Sequence, residues 1–241
     1  MEPSRNRLLA SLAASDMVLV SRQLSRGALD HGAVLQQQDA PVQQVYFPLE
    51  GAISLLAVMR SGDEVETATI GREGAVGLFA DFGRWHSCIK AVVQAPGTAE
   101  IISLPALRTI VSYSEAIGSL MLRYKETLFA QTQQTVACNT LHSVQQRMAR
   151  WLLQVSDRTE GREFLATQDM LSQMLGVRRT TITLIAMKFQ RGGLLRYRRG
   201  HIQLTNRAAL HALACECYDT CRRQSEALLS EPDLLKASPG R

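Results

Sequence analysis

Between Met170 and Cys215 the chain carries eight Lys or Arg and not one Asp or Glu. This run, more than any other feature, limits what the chain can be. A segment that is wholly cationic and still folded points to a polyanionic partner more credibly than the net charge of the whole chain does. The folding signals are plain. Thr167 stands where a helix N-cap is expected, and Asp169 falls in the first turn, where the helix dipole favours negative charge. Met170, Leu171, Met174 and Leu175 form the apolar side of a short helix that stops at Gly176. A second helix starts two or three residues later, runs to about Gln190 and is ended by Gly192-Gly193. Two short helices joined by a tight glycine turn make a helix-turn-helix. Ile182, Ile185, Ala186 and Phe189 then face a core, and Arg179, Thr180, Thr183, Leu184 and Met187 turn outward.

The next stretch, LLRYRRGHIQL, explains itself by register. A two-residue turn at Arg199-Gly200 sets Tyr197 opposite Ile202 and Leu195 opposite Leu204, so one face of the hairpin is apolar. Arg196, Arg198 and His201 lie elsewhere, and the hairpin reads as a wing following a recognition helix. Charge runs are often only solvated faces. Here the cations ride on a helix-turn-helix and hairpin with no balancing acid, which favours double-stranded DNA. Phosphates supply affinity through Lys and Arg, while base edges supply sequence choice. Arg179, at the N-terminal end of the second helix, is placed to bond guanine O6 and N7 together. Thr180 and Leu184 suit a thymine methyl or a hydrogen-bonding edge, and Arg178, Lys188, Arg191 and Arg198 suit phosphates. Thr167, Gln168, Thr181, Thr183 and His201 complete the expected DNA-binding set.

The rest of the chain is an ordinary globular sequence of 241 residues, 46% hydrophobic and 20% charged, with a net charge of +5. No apolar run approaches the roughly 20 residues that cross a bilayer, so no membrane partner is expected. The opening MEPSRNRLLASLAASD imitates a signal peptide, but its apolar part is short, holds Ser11 and stops at Asp16. Leu8, Leu9 and Leu12 fit one face of a packed N-terminal helix in a cytoplasmic protein. Five cysteines, an odd number, give no disulfide framework and agree with a reducing compartment.

From about residue 20 to 105, short extended segments are punctuated by glycine: VYFPLEG, AISLLAVM, EVETATI, CIKAVVQA and AEIISLP. Such spacing predicts a small sandwich or barrel. After Pro105 the texture changes: from about Ser114 to Cys138 there is no Pro, and Gly118 is the only Gly. Ile117, Met121, Tyr124, Leu128, Gln131, Thr135 and Cys138 follow at steps of 4, 3, 4, 3, 4 and 3, a heptad seam that is apolar in its first half. The seam fits either an amphipathic helix lying on the barrel or a two-stranded dimer contact, and Ile117, Met121, Tyr124 and Leu128 are the expected dimer interface. A further helix, about His142 to Val155, precedes a polar stretch, SDRTEGRE, that reads as a loop.

Glycine-punctuated barrel, long helix, winged helix-turn-helix: this order resembles the CRP/FNR family of bacterial transcription regulators over nearly the whole chain. The likeness is strongest in TQDMLSQMLGVRRTTITLI and RGGLLRYRRGHIQLTN. It implies an α+β chain: an N-terminal double-stranded β-helix, or jelly-roll, sensor domain (1–112), a dimerisation helix (113–141), a winged helix-turn-helix (142–215) and a C-terminal helix and tail (216–241). It also implies a homodimer on a palindromic operator, with RNA polymerase as a further partner. The family's recognition helix begins Arg-Glu-Thr-Val-x-Arg. Arg179 and a following Thr match, but the Glu and the second Arg are absent, so the family half-site does not carry over.

The family barrel often holds a cyclic nucleotide through a Gly-Glu pair and an Arg-Ser/Thr-Ala triplet. The corresponding stretches here are Gly71-Arg72-Glu73-Gly74 and His86-Ser87-Cys88. Gly71, Glu73, His86 and Ser87, with Gln131 and Thr135 on the long helix, are the expected effector pocket. The phosphate-binding Arg is missing, so cyclic AMP is not the expected effector. The cysteine cluster that ligates an iron–sulfur centre in the oxygen-sensing branch is also missing, and no cofactor is expected.

Cys215, Cys217 and Cys221 form a C-x-C-x3-C run on an expected C-terminal helix. Its spacing matches none of the usual zinc patterns, so the expectation is cysteines that pack the helix, with no metal. The sequence has no G-x-S-x-G, Walker loop or H-E-x-x-H, and its five histidines do not cluster, which argues against an enzyme. Exposed aromatics for stacking single-stranded bases are scarce at 5% aromatic residues, so an RNA binder is the weaker alternative.

Overall fold

The computed structural model describes residues 4–78 and 86–230. Helices α1 (Arg7–Ala10) and α2 (Ala14–Ser21) lead into strands β1 (Ser25–Leu29), β2 (Val34–Gln36), β3 (Gln44–Pro48), β4 (Ala52–Val58), β5 (Glu64–Ile70), β6 (Lys90–Ala95) and β7 (Gly97–Ser103). These form two antiparallel sheets, β1-β7-β3 and β2-β6-β4-β5. Alternate residues of both sheets, among them Val45, Phe47, Ile53, Leu55, Val93 and Ile102, meet in one core together with Leu8 and Leu9 of α1. β4 is apolar almost throughout because its second face is covered too: Ala52 and Leu56 point outward into the core of the C-terminal domain.

Ser103 and Pro105 start a helix not expected from the sequence, α3 (Leu104–Tyr113), with the Ser103 hydroxyl accepting from the Ala106 N–H. Ser114 then caps the long α4 (Glu115–Leu141). The expected dimer residues belong elsewhere. Ile117, Met121, Tyr124 and Leu128 are almost fully buried in the chain's own barrel core, and the Tyr124 hydroxyl donates to the Ala75 carbonyl at 2.9 Å. The opposite side of α4 exposes Leu122, Phe129 and Val136 at seven-residue intervals. One helix therefore carries two seams of the same period, and the barrel takes the more continuously apolar one.

Ser143 and Gln146 make a capping box at the start of α5 (Val144–Arg158). The supposed loop after it is shorter than expected, because α5 runs on to Arg158 and Phe164–Leu165 form β8. There follow α6 (Gln168–Leu175), α7 (Arg179–Arg191), β9 (Leu195–Arg198) and β10 (His201–Leu204). The third sheet has the order β8-β10-β9. The expected C-terminal helix is α9 (Cys217–Ser230), with Cys215 just before it and a further helix, α8 (Arg207–Leu213), ahead of both, and the tail from 231 lies outside the described residues.

The C-terminal domain docks on the outer face of the four-stranded sheet. At the centre of that junction the buried Glu66 carboxylate accepts from Trp151 Nε1 at 3.1 Å, from Thr69 Oγ1 at 2.9 Å and from the Ser54 hydroxyl. Burial still pushes the Glu66 pKa up, more than these donors and the Arg150 charge pull it down. Arg158 bolts the rim of the junction, donating from Nε to Glu73 Oε1 at 3.0 Å and from Nη2 to the Thr69 carbonyl at 3.0 Å.

Candidate nucleic-acid interface

The helix-turn-helix forms where its punctuation places it. The Thr167 hydroxyl accepts from the Met170 N–H at 3.2 Å, and Gly176 ends α6 in the left-handed region at φ 62°. Ile182, Ala186 and Phe189 of α7 are buried against the domain core, with Ile185 packed beside them. The hairpin pairs His201 with Arg198, Ile202 with Tyr197 and Leu204 with Leu195, in the register read from the sequence. Arg199 and Gly200 both have positive φ, 52° and 83°, as a two-residue turn with the matching twist requires. The Tyr197 hydroxyl donates to the Ala166 carbonyl at 2.7 Å, which ties the wing to the entry of α6. Burial raises the Tyr197 pKa to about 12, so this donor keeps its proton throughout the physiological range.

One exposed face results. Arg178, Arg179, Thr180, Leu184 and Lys188 of the turn and α7 lie outward, with Leu184 at 69% exposure. Thr181 and Thr183 are half-buried at its margins. Between α7, the start of α6 and the wing runs an open cleft lined by Thr167, Gln168, Arg179, Met187, Gln190 and Arg199. Gln190 and Arg199 have from the sequence only the roles of helix end and turn residue, since only the folded wing brings Arg199 opposite α7. Arg191, Arg198 and His201 are exposed at the edges of the same domain.

Several of these side chains are held by neighbours. Arg179 Nε lies 3.3 Å from Asp169 Oδ1, with both side chains more than 60% exposed. An ion pair this exposed is worth at most about 1 kcal/mol, so Asp169 holds the guanidinium only weakly. Thr183 donates to Gln168 Oε1 at 2.7 Å, Lys188 to Gln145 Oε1 at 2.7 Å, and His201 Nδ1 lies 3.1 Å from Glu163 Oε1.

The expected effector residues do not converge. His86 and Ser87 line a cavity of about 400 Å³ between the barrel and α4, walled by Leu55, Ile70, Val76, Ile89, Leu128 and Phe129. Gly71 and Glu73 face away from it: Glu73 Oε1 accepts from the Gly71 N–H at 3.0 Å and from Arg158. Gln131 donates to the Thr69 carbonyl at 3.2 Å, and buried Thr135 bonds back to the Gln131 carbonyl at 3.0 Å. Domain docking through Arg158 thus claims Glu73, while Gln131 is held by the barrel and Thr135 by its own helix. No Lys or Arg among the described residues lines the cavity, and Lys90 is turned away to Glu64 at 2.8 Å.

Among known proteins, the model of the Crp-like helix-turn-helix domain matches residues 146–213. No curated protein matches in sequence. Several solved structures share the fold. FixK2 from Bradyrhizobium japonicum is 16% identical and covers 80% of this chain and 98% of its own, with a TM-score of 0.67. A transcriptional regulator of the CRP/FNR family from Thermus thermophilus is 22% identical and covers 79% of this chain and 98% of its own, with a TM-score of 0.62. A regulator of the same family from Eubacterium rectale is 18% identical and covers 86% of this chain and 96% of its own, with a TM-score of 0.64.

Proposed function

We infer that this chain, which has the fold of the CRP/FNR transcriptional regulators and a Crp-like helix-turn-helix domain at residues 146–213, is a DNA-binding transcription regulator. The observation that carries the reading is the exposed face of α7 and the wing: Arg179 sits at the N-terminal end of a protruding helix, inside a segment with no acidic residue from Met170 to Cys215. Arg179 and Thr180 read base edges, with Leu184 and Met187 available to thymine methyl groups. Arg178, Lys188, Arg191, Arg198 and Arg199 engage phosphates. The role is binding, not catalysis, and its place is the cytoplasm. Among the described residues no helix is long and apolar enough to cross a membrane.

The working unit is a homodimer formed along Leu122, Phe129 and Val136 of α4, which puts two recognition helices about one helical turn of DNA apart on a palindromic operator. RNA polymerase is the further partner. The apolar cavity beside His86 is the effector site, and its lining favours a small, largely uncharged ligand over a cyclic nucleotide, whose buried phosphate needs a paired cation.

The test separates base reading from phosphate binding. Arg179→Ala is expected to cost about 1–3 kcal/mol on the selected operator and to relax choice at one position per half-site. Lys188→Ala is expected to weaken specific and random duplexes alike and to flatten the salt slope. Equal losses on both kinds of DNA for Arg179→Ala, or stronger binding to single strands than to duplex, would overturn the reading.

A further inference from the structure

At the inner end of α4 the fold gathers four soft ligands that the sequence disperses. Cys138 and His142 stand four residues apart on one side of the helix end, with His142 as its C-cap. Cys215 lies in the break between α8 and α9 and Cys217 opens α9, both packed against Cys138. The four ligand atoms all lie within 4.8 Å of one another, with Cys138 Sγ 3.5 Å from Cys215 Sγ and Cys217 Sγ 3.5 Å from His142 Nδ1. A tetrahedral zinc ion with Zn–S of about 2.3 Å and Zn–N of about 2.0 Å sets its ligand atoms roughly 3.5–3.8 Å apart. So tight a convergence suits one ion and is too close for the corners of an iron–sulfur cube.

Three further observations agree with an ion at this point. The second ring nitrogen of His142, Nε2, lies 3.2 Å from Glu216 Oε2, the carboxylate–histidine arrangement that fixes the tautomer of a metal-binding imidazole. Gln134 Nε2 lies 3.0 Å from Cys217 Sγ, an N–H donor aimed at a sulfur that becomes a better acceptor as a thiolate. Arg150 is 4% exposed, its Nε has no hydrogen-bond partner, and among the described residues it makes no ion pair. Its charge acts on Cys138 and Cys215, and also on Cys221 and Glu66. Three thiolates, one imidazole and a divalent ion carry one net negative charge, a counter-charge for this buried guanidinium.

We propose that Cys138, His142, Cys215 and Cys217 bind one zinc ion per chain. With four protein ligands the site is closed and structural, leaving no position for a substrate. It ties the end of the long helix to the segment that follows the winged domain, across the α4–α5 junction at His142. The C-x-C-x3-C run is therefore only half of the motif: Cys221 is buried one turn further on and is not in the ligand set.

The test uses the full chain, purified in reducing buffer, with zinc measured by plasma mass spectrometry and cobalt(II) titrated into the stripped protein. One zinc per chain is expected. The cobalt adduct should show the visible bands of a tetrahedral ion and thiolate-to-cobalt charge transfer in the near ultraviolet. Cys138→Ser and Cys217→Ser should abolish both, while Cys221→Ser and Cys88→Ser should keep them. Because buried Cys138 and Cys217 also pack the fold, His142→Ala and Glu216→Gln are measured in parallel on protein shown by circular dichroism to be folded. His142→Ala should lose the tetrahedral spectrum, and Glu216→Gln should weaken zinc binding by about 10- to 100-fold. A folded wild-type chain that binds neither ion, an adduct unaffected by His142→Ala, or a Cys138–Cys215 disulfide persisting in reducing buffer would overturn the proposal.

Discussion

Phe129 and Leu128 are neighbours on α4 with opposite duties, and truncating each in turn separates them. Phe129 is 60% exposed and Leu128 only 4%. A phenylalanine side chain offers about 200 Å² of surface, so some 120 Å² per protomer is left for a partner helix to cover. At about 25 cal/mol per Å², covering both copies stabilises a dimer by up to ~6 kcal/mol, of which Phe129→Ala removes about two-thirds. A loss of ~4 kcal/mol is about a thousandfold in the dimer dissociation constant. Leu128→Ala instead removes a core side chain and enlarges the cavity beside His86, and is expected to cost about 2–5 kcal/mol of folding stability. Sedimentation equilibrium over a concentration series gives the first quantity, and urea unfolding monitored by circular dichroism gives the second. An unchanged dimer constant for Phe129→Ala, with weakened dimerisation in folded Leu128→Ala, would refute the assignment of the two faces.

Two other outcomes follow from the junction and the cavity. Burial raises the Glu66 pKa, so its contribution to stability is complete below the ordinary carboxylate value and fades as pH climbs through the raised folded value. Glu66→Gln should therefore gain on the wild type in thermal melts as pH rises from about 4.3 upward, and a wild type that gains on the variant over that range would contradict this. Calorimetry with cyclic AMP and cyclic GMP should show no binding at micromolar concentrations, because no described cation lines the cavity beside His86. Arg84, near it in sequence, lies outside the described residues. A micromolar dissociation constant with DNA affinity raised by the nucleotide would show that reading of the pocket to be wrong.

What was legible in the sequence was local. The hairpin register followed from the two residues Arg199-Gly200, and the helix ends followed from Thr167, Gly176 and Gly192, because caps and turns are decided within a few residues of chain. The sense of α4 was not local. A heptad spacing marks a face without saying what covers it, and Ile117 to Cys138 shares its period with Leu122, Phe129 and Val136. Only the barrel's apolar mouth decides between them. Glu73 shows the same limit: its place after Gly71 suggested a ligand contact, whereas Arg158, 85 residues away, takes its carboxylate for domain docking. The zinc ligands mark the extreme case, since Cys138 and Cys215 are brought together by the packing of α4 against the C-terminal helices.

The two faces of α4 also bear on how a ligand would be felt. Phe129 lines the cavity beside His86 and at the same time stands on the exposed seam, while Leu128, the next residue, is fixed in the barrel core. A side chain that belongs to both surfaces cannot change rotamer for a ligand without altering what it offers a partner helix, since close-packed contacts transmit such shifts. The far end of the same helix carries Cys138 and His142, next to α5 and the recognition domain. The proposed effector cavity, the proposed dimer seam and the α4–α5 junction thus lie along one 27-residue helix. A ligand acts on DNA affinity only by the difference in its free energy between two arrangements of that helix. Phe129, common to the proposed cavity and seam, is where such a difference would have to arise.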